Sequence, residues 1–554
     1  MHKSYNYYPM HMHLHTCFQP GMSMAAHMYN ANKLGMKYIW FTDHDTATGI
    51  GKRAICGFSF EDGVLEKGDH GFYEAEFEDK ALFSCTVDAA EKKAKLFAKA
   101  NEREQWQSGG IYFHSTGHRH NPALLMETSL SLGLFAENLN ENTRLLFDIT
   151  LSQRPPDCKK SHILYVLGDP SGLEAPDHQI LPMKLEGGIV KMPLFQDVSN
   201  DIMIGGKDNV FDTITITLQV RYGATLCVDI RDFEISFNKN FEQAHIAQKA
   251  EAERVGKLYD VTPFVAFEYS GVEHKNCFSS TVPTLNLAEM NWKVSNCDIS
   301  QHTKKHNGIF AINHPLAISL LKRKEFDPLQ RAMVVARSAT TLLSCDAYGA
   351  SLVEVGYPMG RNGFDLQAYL THWDLLSSGG LFLTGYGCND CHRNNDNWFQ
   401  GNNFATWIGV DSDLRHPISE DAFVDALKKG RVYTGDPVKI KGEVSFETMY
   451  GHQQGTVFTT AQTSKVEINF NAKNVEPGWR FRLVENGHEV YSEVITDSEF
   501  IHHSELSASP ATVSFQRAEL YDETGRCILL TNPIYLVRQE EYARKIPKWR
   551  LAEV

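Results

Sequence analysis

Tyr38-Ile39-Trp40-Phe41-Thr42-Asp43-His44-Asp45 is an apolar run that ends abruptly in acid- and imidazole-bearing residues. A helical stretch around Met24–Gly35 precedes it and stops at a glycine, and before that helix stands Met12-His13-Leu14-His15-Thr16. Strand, helix and strand within about the first 60 residues make a βαβ opening, which implies parallel neighbouring strands. In a parallel α/β fold the C-terminal ends of the strands converge on one face, and chemistry collects there.

Outward from that opening the texture changes. Arg144–Leu151 and Phe211–Tyr222 read as long strands. In the second, Ile214, Ile216, Leu218 and Val220 alternate with Thr213, Thr215, Thr217 and Gln219. Period-two patterning with Gly- and Pro-rich connections marks antiparallel sheets with one buried face. Residues 61–240 are therefore expected to form an inserted β-sandwich. Near residue 240 the α/β texture returns, with a helix over Phe241–Leu258 and then the short apolar runs Pro263–Phe267, Gly308–Ile312, Ser351–Val355 and Gly380–Leu383. Such runs, separated by helical stretches, suit buried parallel strands of an α/β barrel or open sheet. Residues 1–60 and 241–437 form one discontinuous domain on this reading. Strand-like segments then resume (Lys465–Ala472, Arg480–Glu485, Phe515–Tyr521), and 438–554 reads as a C-terminal β-sandwich.

Composition narrows the function classes. At 554 residues the chain is too long for a single core. A net charge of −14 argues against a general nucleic-acid binder, which needs a basic face. No apolar run is long enough to span a bilayer, so no membrane partner is expected. Residues 1–10 lack the apolar stretch of a secretory signal, and the 11 cysteines are scattered without a disulfide framework, so a reduced cytoplasmic protein is expected. The 24 histidines are the unusual count, and their positions decide what it means.

His13-Leu14-His15 sets two imidazoles on one face of the first strand. Thr42-Asp43-His44 closes the second. Glu268 follows Pro263–Phe267, with His274 six residues on; His314 follows Ile309–Asn313; Asp390 and His392 follow Gly380–Leu383. A single His-x-His is more often a polar edge or a satisfied core histidine. Five strand ends each delivering His, Asp or Glu to one region is a different matter. Imidazole mixed with carboxylate suits Zn, Mn or Fe.

Met12-His13-Leu14-His15-Thr16, Phe41-Thr42-Asp43-His44-Asp45, Ala311-Ile312-Asn313-His314-Pro315 and Gly387-Cys388-Asn389-Asp390-Cys391-His392, in that order, resemble the motifs of the PHP (polymerase and histidinol phosphatase) superfamily of metallohydrolases. Phe264-Val265-Ala266-Phe267-Glu268-Tyr269 with Glu273-His274-Lys275-Asn276 is similar to the middle motif of its carbaryl-hydrolase-like branch, as is Thr531-Asn532-Pro533-Ile534-Tyr535 to that branch's end. The resemblance implies a distorted (β/α)7, TIM-like PHP barrel holding two or three divalent metal ions. By motif position His13, His15, Glu268 and Asp390 would hold the first ion, and Glu268 would bridge to a second on His274 and His314. His44 and His392 fall where the family often holds a third. That third position is left open, because His11 stands where an acidic residue commonly opens the first motif and Pro20 where a further ligand is expected; Gln19 and His27 are the substitutes on hand.

The implied reaction is cleavage of an ester, amide or carbamate bond of a small-molecule substrate by a hydroxide bridging the metals, with Glu268, His44 and His392 as the catalytic residues. A PHP-type phosphoesterase is the alternative. A catalytically degenerate metal-binding protein with ligand-binding β domains is the second. Asp43 is expected to orient a ligand histidine. Cys388-x-x-Cys391 lies inside the Asp390/His392 motif with no second pair at zinc spacing, so a redox or zinc-knuckle role is disfavoured. His114, His118, Arg119 and His120 read as a solvated loop, with a substrate-lining loop the functional alternative, and His502 and His503 as surface residues. Arg361, Arg393 and Lys275 are the cations near the motifs. Oligomeric state is not legible.

Overall fold

The computed structural model describes residues 4–16, 24–44, 52–67, 70–115, 129–152, 160–173, 178–183, 185, 188–193, 210–238, 241–269, 274–280, 295–316, 327–356, 365–391, 398–399, 404–508, 513–538 and 546–552. Strands dominate, with few helices. One long sheet carries the strands foreseen at both ends of the chain. Its order is Thr384–Gly387, Leu352–Gly356, Ile309–Ile312, Lys275–Phe278, Thr262–Tyr269, Tyr38–His44, Tyr5–Leu14, Ala405–Asp411 and Val432–Gly435, continuing into Cys527–Thr531 and Val513–Tyr521.

Tyr5–Leu14, Tyr38–His44 and Thr262–Tyr269 run parallel. The Lys275–Phe278 strand turns back between Thr262–Tyr269 and Ile309–Ile312, after which Ile309–Ile312, Leu352–Gly356 and Thr384–Gly387 are again mutually parallel. Six strands therefore point one way, and their C-terminal ends share one rim. Helices Phe241–Tyr259, Asn296–Lys305, Pro328–Ser344 and Leu366–Ser378 lead into four of them. Their starts are locally encoded. Ser295 and Asp298 form a capping box, as do Asp327 and Gln330 with Pro328 at the first helical position.

Two expectations change. A closed barrel ladder is not present among the described residues. The sheet curls until the segment after its end strand Thr384–Gly387 meets the interior strand Tyr5–Leu14 through a single bridge, Leu14 to Cys391, and two backbone hydrogen bonds, Asp390 N–H to the His13 carbonyl (2.8 Å) and His15 N–H to the Cys391 carbonyl (3.2 Å). The last parallel strand is also not the apolar Gly380–Leu383 but the next segment, Thr384–Gly387. Gly379 caps the preceding helix and Gly380 takes φ 83°, so the apolar run is used in leaving the helix. The glycines that hide the true strand are required by packing. A Cβ on Gly385 would meet the Trp373 ring at 2.6 Å, and one on Gly387 would meet Phe404 at 2.7 Å.

Among the described residues, strands between Lys52 and Asn238 pair only with one another, in a seven-stranded and a six-stranded sheet. Ile214, Ile216, Leu218 and Val220 are fully buried, as their alternation required, and Phe58, Phe60, Phe72, Phe113 and Phe233 pack together between the sheets. The Lys52–Phe58 strand, grouped above with residues 1–60, pairs with Thr225–Asn238. Part of the C-terminal region joins the long sheet. Cys527–Thr531 pairs with Val432–Gly435 and so extends the long sheet, while Val444–Thr448, Lys465–Lys473 and Glu499–Ser507 form a three-stranded sheet whose Phe446 and Phe470 share a core with Phe481 of the long sheet. No helix among the described residues is long and apolar enough to cross a membrane.

Candidate metal centre

Seven of the eight residues singled out as ligands lie in the described structure, and all seven gather at the shared rim. His13 and His15 sit at and just past the end of the first strand, fully buried. Parallel register sets His44 beside Glu268, at the ends of their two strands. His314 follows Ile309–Ile312, and Asp390 follows Thr384–Gly387; both take positive φ, 28° and 46°. Non-glycine residues held there carry a backbone cost that surrounding structure must offset, and functional sites are where such residues concentrate. His392 lies outside the described residues, as do Gln19 and Pro20.

The first strand's two imidazoles aim at the same point. His13 Nε2 and His15 Nε2 are 3.0 Å apart; Glu268 Oε2 is 3.4 Å from the first and 3.3 Å from the second; Asp390 Oδ1 is 3.6 Å and 3.0 Å from them. These are five of the six edges of a four-cornered figure. A tetrahedral ion with bonds of ~2.0–2.1 Å has ligand-to-ligand edges of about 3.3–3.4 Å, because the edge is about 1.63 times the bond. His13, His15 and Glu268 thus stand at the edge lengths of a tetrahedral shell, with Asp390 on the far side of the two imidazoles.

Glu268 joins this shell to a second group. Its Oε1 lies 3.1 Å from His274 Nδ1 and 3.6 Å from His314 Nε2, while Oε2 also lies 2.9 Å from His44 Nδ1. One buried carboxylate is therefore ringed by five imidazoles. His44 stacks on His15 at 4.6 Å and meets His274 edge-on at 5.1 Å, so the two groups are continuous.

No protein-family model matches the chain, and no curated protein matches its sequence. Among solved structures, it is similar to a two-domain protein from Bacteroides vulgatus described as containing a predicted PHP-like metal-dependent phosphoesterase, at 12% identity and TM-score 0.26 over 53% of this chain and 80% of that one. It is also similar to the catalytic domain of Humicola grisea Cel12A, at 9% identity and TM-score 0.23 over 31% and 93%, and to a family 30 carbohydrate-binding module of Clostridium thermocellum, at 12% identity and TM-score 0.19 over 34% and 96%. At these scores none of the likenesses carries an argument, and the donor geometry is what remains to reason from.

Behind the donors stands a layer of groups that the sequence did not reveal as functional. Glu354, on the strand Leu352–Gly356, is buried; its Oε1 is 2.6 Å from His13 Nδ1, and its Oε2 accepts from the His314 backbone N–H at 2.5 Å. A carboxylate can only accept here, so Nδ1 of His13 carries the hydrogen and Nε2 presents its lone pair to the site. Tyr386 donates to the same Oε1 at 3.1 Å, and Asn313 Nδ2 donates to Glu268 Oε1 at 2.7 Å. Asp43 accepts both the backbone N–H and the hydroxyl of Thr16 at 2.5 Å, and the Gln248 amide as well, which fixes the chain directly after His15. His27 Nε2–H donates to the His15 carbonyl at 3.0 Å, and burial beside His27 lowers the His11 pKa to about 3.

The field at this point is built for positive charge. Burial works against charge on Glu268, yet His13 and the neighbouring imidazoles overcome it and hold its carboxyl well below the usual range. Burial likewise opposes an imidazolium at His13, but Glu268, Glu354 and Asp390 raise its pKa well above the ordinary value; His44 and His314 are raised by the same carboxylates. Carboxylates that pull protons onto buried imidazoles would pull a divalent cation there instead. The imidazole and carboxylate donors fit such an ion.

Cys388 belongs to the same surroundings, grouped with His13 and Glu354. Burial raises its thiol pKa well above the ordinary value, so it is not a thiolate nucleophile. Cys388 and Cys391 are both buried and unbridged, and Cys391 serves through its backbone at the sheet's closing bridge. Lys275 is fully buried. His118, Arg119, His120, Arg361 and Arg393 fall outside the described residues, and the His114 side chain does too.

Proposed function

We propose that this chain is a metal-dependent hydrolase whose rim of strand ends, in an open, PHP-type curled sheet built from residues 1–44 and 241–437, holds two divalent ions and cleaves an ester, amide or carbamate bond of a small molecule. The observation that carries the reading is the set of five distances around His13, His15, Glu268 and Asp390. Two imidazole nitrogens meeting at 3.0 Å, one with its lone pair fixed inward by Glu354, repel unless a cation or a proton lies between them. A lone proton would not account for two carboxylate oxygens at the same spacing.

Bound divalent ions would polarise the substrate's carbonyl oxygen and acidify water. This chain's residues would do the rest. His13, His15, Glu268 and Asp390 hold one ion; Glu268, His274 and His314 hold the second. His44 is partly exposed, and with its Nδ1 2.9 Å from Glu268 Oε2 it is placed to carry a proton to the leaving group. The carboxylic rather than phosphoric class is favoured because a phosphate clamp draws on guanidinium forks, whereas the groups gathered here among the described residues are imidazoles and carboxylates.

The test is metal analysis of the purified protein beside a screen of p-nitrophenyl acetate, 1-naphthyl N-methylcarbamate and p-nitrophenyl phosphate after loading with Zn, Mn or Fe. The expected result is about two metals per chain and ester or carbamate turnover that chelation and His15→Ala both abolish. Turnover confined to the phosphate ester would move the reading to a phosphoesterase. Less than one metal per chain after loading would end it.

A further inference from the structure

A second site lies at the other end of the strand that carries His13. Tyr5 and Tyr7 open that strand, six or more residues before His13, which at about 3.3 Å per residue puts them roughly 20 Å from the metal centre. Here a cleft of 790 Å³ lies between three interior strands of the long sheet (Tyr5–Leu14, Ala405–Asp411 and Val432–Gly435) and the three-stranded C-terminal sheet. Pockets that hold drug-sized ligands occupy roughly 300–1,000 Å³.

One wall is aromatic. Tyr7 is half-buried and meets Tyr433 at 5.2 Å; Tyr433 stacks on Trp407 at 5.3 Å with planes 14° apart, and these two buried rings back it. Gly409 leaves room for the Tyr7 ring, since a Cβ there would stand 2.8 Å from it. The facing wall is polar by strand alternation. In Val444–Thr448 and Lys465–Lys473 one face turns Phe446, Ile468 and Phe470 into the core, and the other presents Ser445 and Glu447 opposite Asn471 and Asn469 to the cleft. Asparagine is disfavoured inside strands, so two of them on one cleft-facing row run against local propensity, which is a mark of a functional surface. These groups are held in place. Asn471 donates to Ser445 at 3.2 Å, Asn469 Oδ1 lies 2.6 Å from His503 Nδ1, Tyr7 donates to Gln453 at 2.9 Å, and Gln453 donates to Glu447.

The charges exclude an anion. Among the described residues Lys473 is the only cation lining the cleft, and it is tied to Glu443 at 3.0 Å; Glu447, held by Gln453, lines it as well. An apolar ligand would strip water from the amides without replacing it. What fits amides and a carboxylate opposite aromatic rings is a neutral molecule with hydroxyls on its edge and C–H bonds on its face. We propose that the cleft between Tyr7, backed by the buried Trp407 and Tyr433, on one side and Ser445, Glu447, Asn469 and Asn471 on the other binds a short neutral oligosaccharide.

The experiment is calorimetric titration of the full chain with cellobiose, maltose and lactose, and with gluconate as an anionic comparator. At least one disaccharide should bind. Asn471→Ala, which removes a half-buried amide, should weaken it at least about tenfold, the loss of one good hydrogen bond to a polar ligand. Ser445→Phe, which fills the cleft, should abolish binding, with an unchanged melting temperature showing that either variant is folded. If Ser445→Phe fails to fold, Asn471→Ala decides alone. Absence of binding by all three sugars, tighter binding of gluconate, or affinity that survives Asn471→Ala would each overturn the proposal.

Discussion

Replacing Glu354 by glutamine tests whether the metal centre is organised from behind. One carboxylate there takes three hydrogen bonds: from His13 Nδ1 (2.6 Å), from Tyr386 (3.1 Å) and from the His314 backbone (2.5 Å). Glutamine keeps the volume but has one accepting oxygen and one donating nitrogen. If the oxygen serves His13, the amide nitrogen is set against the His314 N–H, donor against donor. At least one charge-assisted bond is lost, at about 1.5–3 kcal/mol, and the negative charge that makes His13 a better donor goes with it. Partners of ligand histidines typically contribute 10–100-fold to metal affinity, and ~1.4–2.7 kcal/mol is the same quantity in energy. Glu354→Gln should therefore bind zinc about 10–100-fold more weakly, measured by competition with a chromogenic chelator, with kcat/KM at saturating zinc falling much less. Affinity within twofold of wild type in a folded Glu354→Gln protein would refute the reasoning.

Glu268→Gln should lose most of one metal equivalent and at least about a thousandfold in kcat, roughly 4 kcal/mol of barrier, read from metal content beside turnover. Gly385→Ala should destabilise the protein by about 1–3 kcal/mol, since the new methyl meets Trp373 at 2.6 Å; a denaturant midpoint indistinguishable from wild type would contradict that packing. Burial raises the Glu420 pKa to about 8 from 4.5. With the folded pKa above the unfolded one, the folded state keeps a proton the unfolded state has released, so wild-type stability falls as pH rises from about 4.5 to about 8. Glu420→Gln removes that slope, and its melting temperature relative to wild type should climb across the same window; a constant difference would count against it.

The gathering of these side chains was legible because they stand where apolar runs stop: His13, His15, His44, Glu268, His314 and Asp390 each close or follow a run, and parallel strands bring such ends together. Glu354 was not, because it sits inside the run Leu352-Val353-Glu354-Val355 and reads as part of a buried strand. Only pairing with neighbouring strands turns it toward His13, and pairing partners are not written into a single strand's pattern. The same gap hid the continuity of the C-terminal strands with the long sheet. Period-two alternation announces a strand and a buried face but not which sheet receives it. Thr384–Gly387 was missed for the opposite reason. Its glycines weaken it as a strand in isolation, and the need for them lies in Trp373 and Phe404, which approach from elsewhere.

The register that sets His44 beside Glu268 joins two strands separated in the chain by the whole of the inserted β sheets. Those sheets begin and end on adjacent partners, since Lys52 pairs with Asn238. Once they have formed, the chain to be closed between His44 and Thr262 shrinks from roughly 220 residues to roughly 30, which lowers the loop-closure cost by about 1.5–2 kcal/mol. The order of events during synthesis follows. The inserted sheets can form before the strand carrying Glu268 is made, and they then hand that strand to a neighbour already waiting. The metal centre would be among the last parts of the molecule to assemble, and a defect in the distant β sheets would reach it as slow maturation rather than as a misplaced ligand.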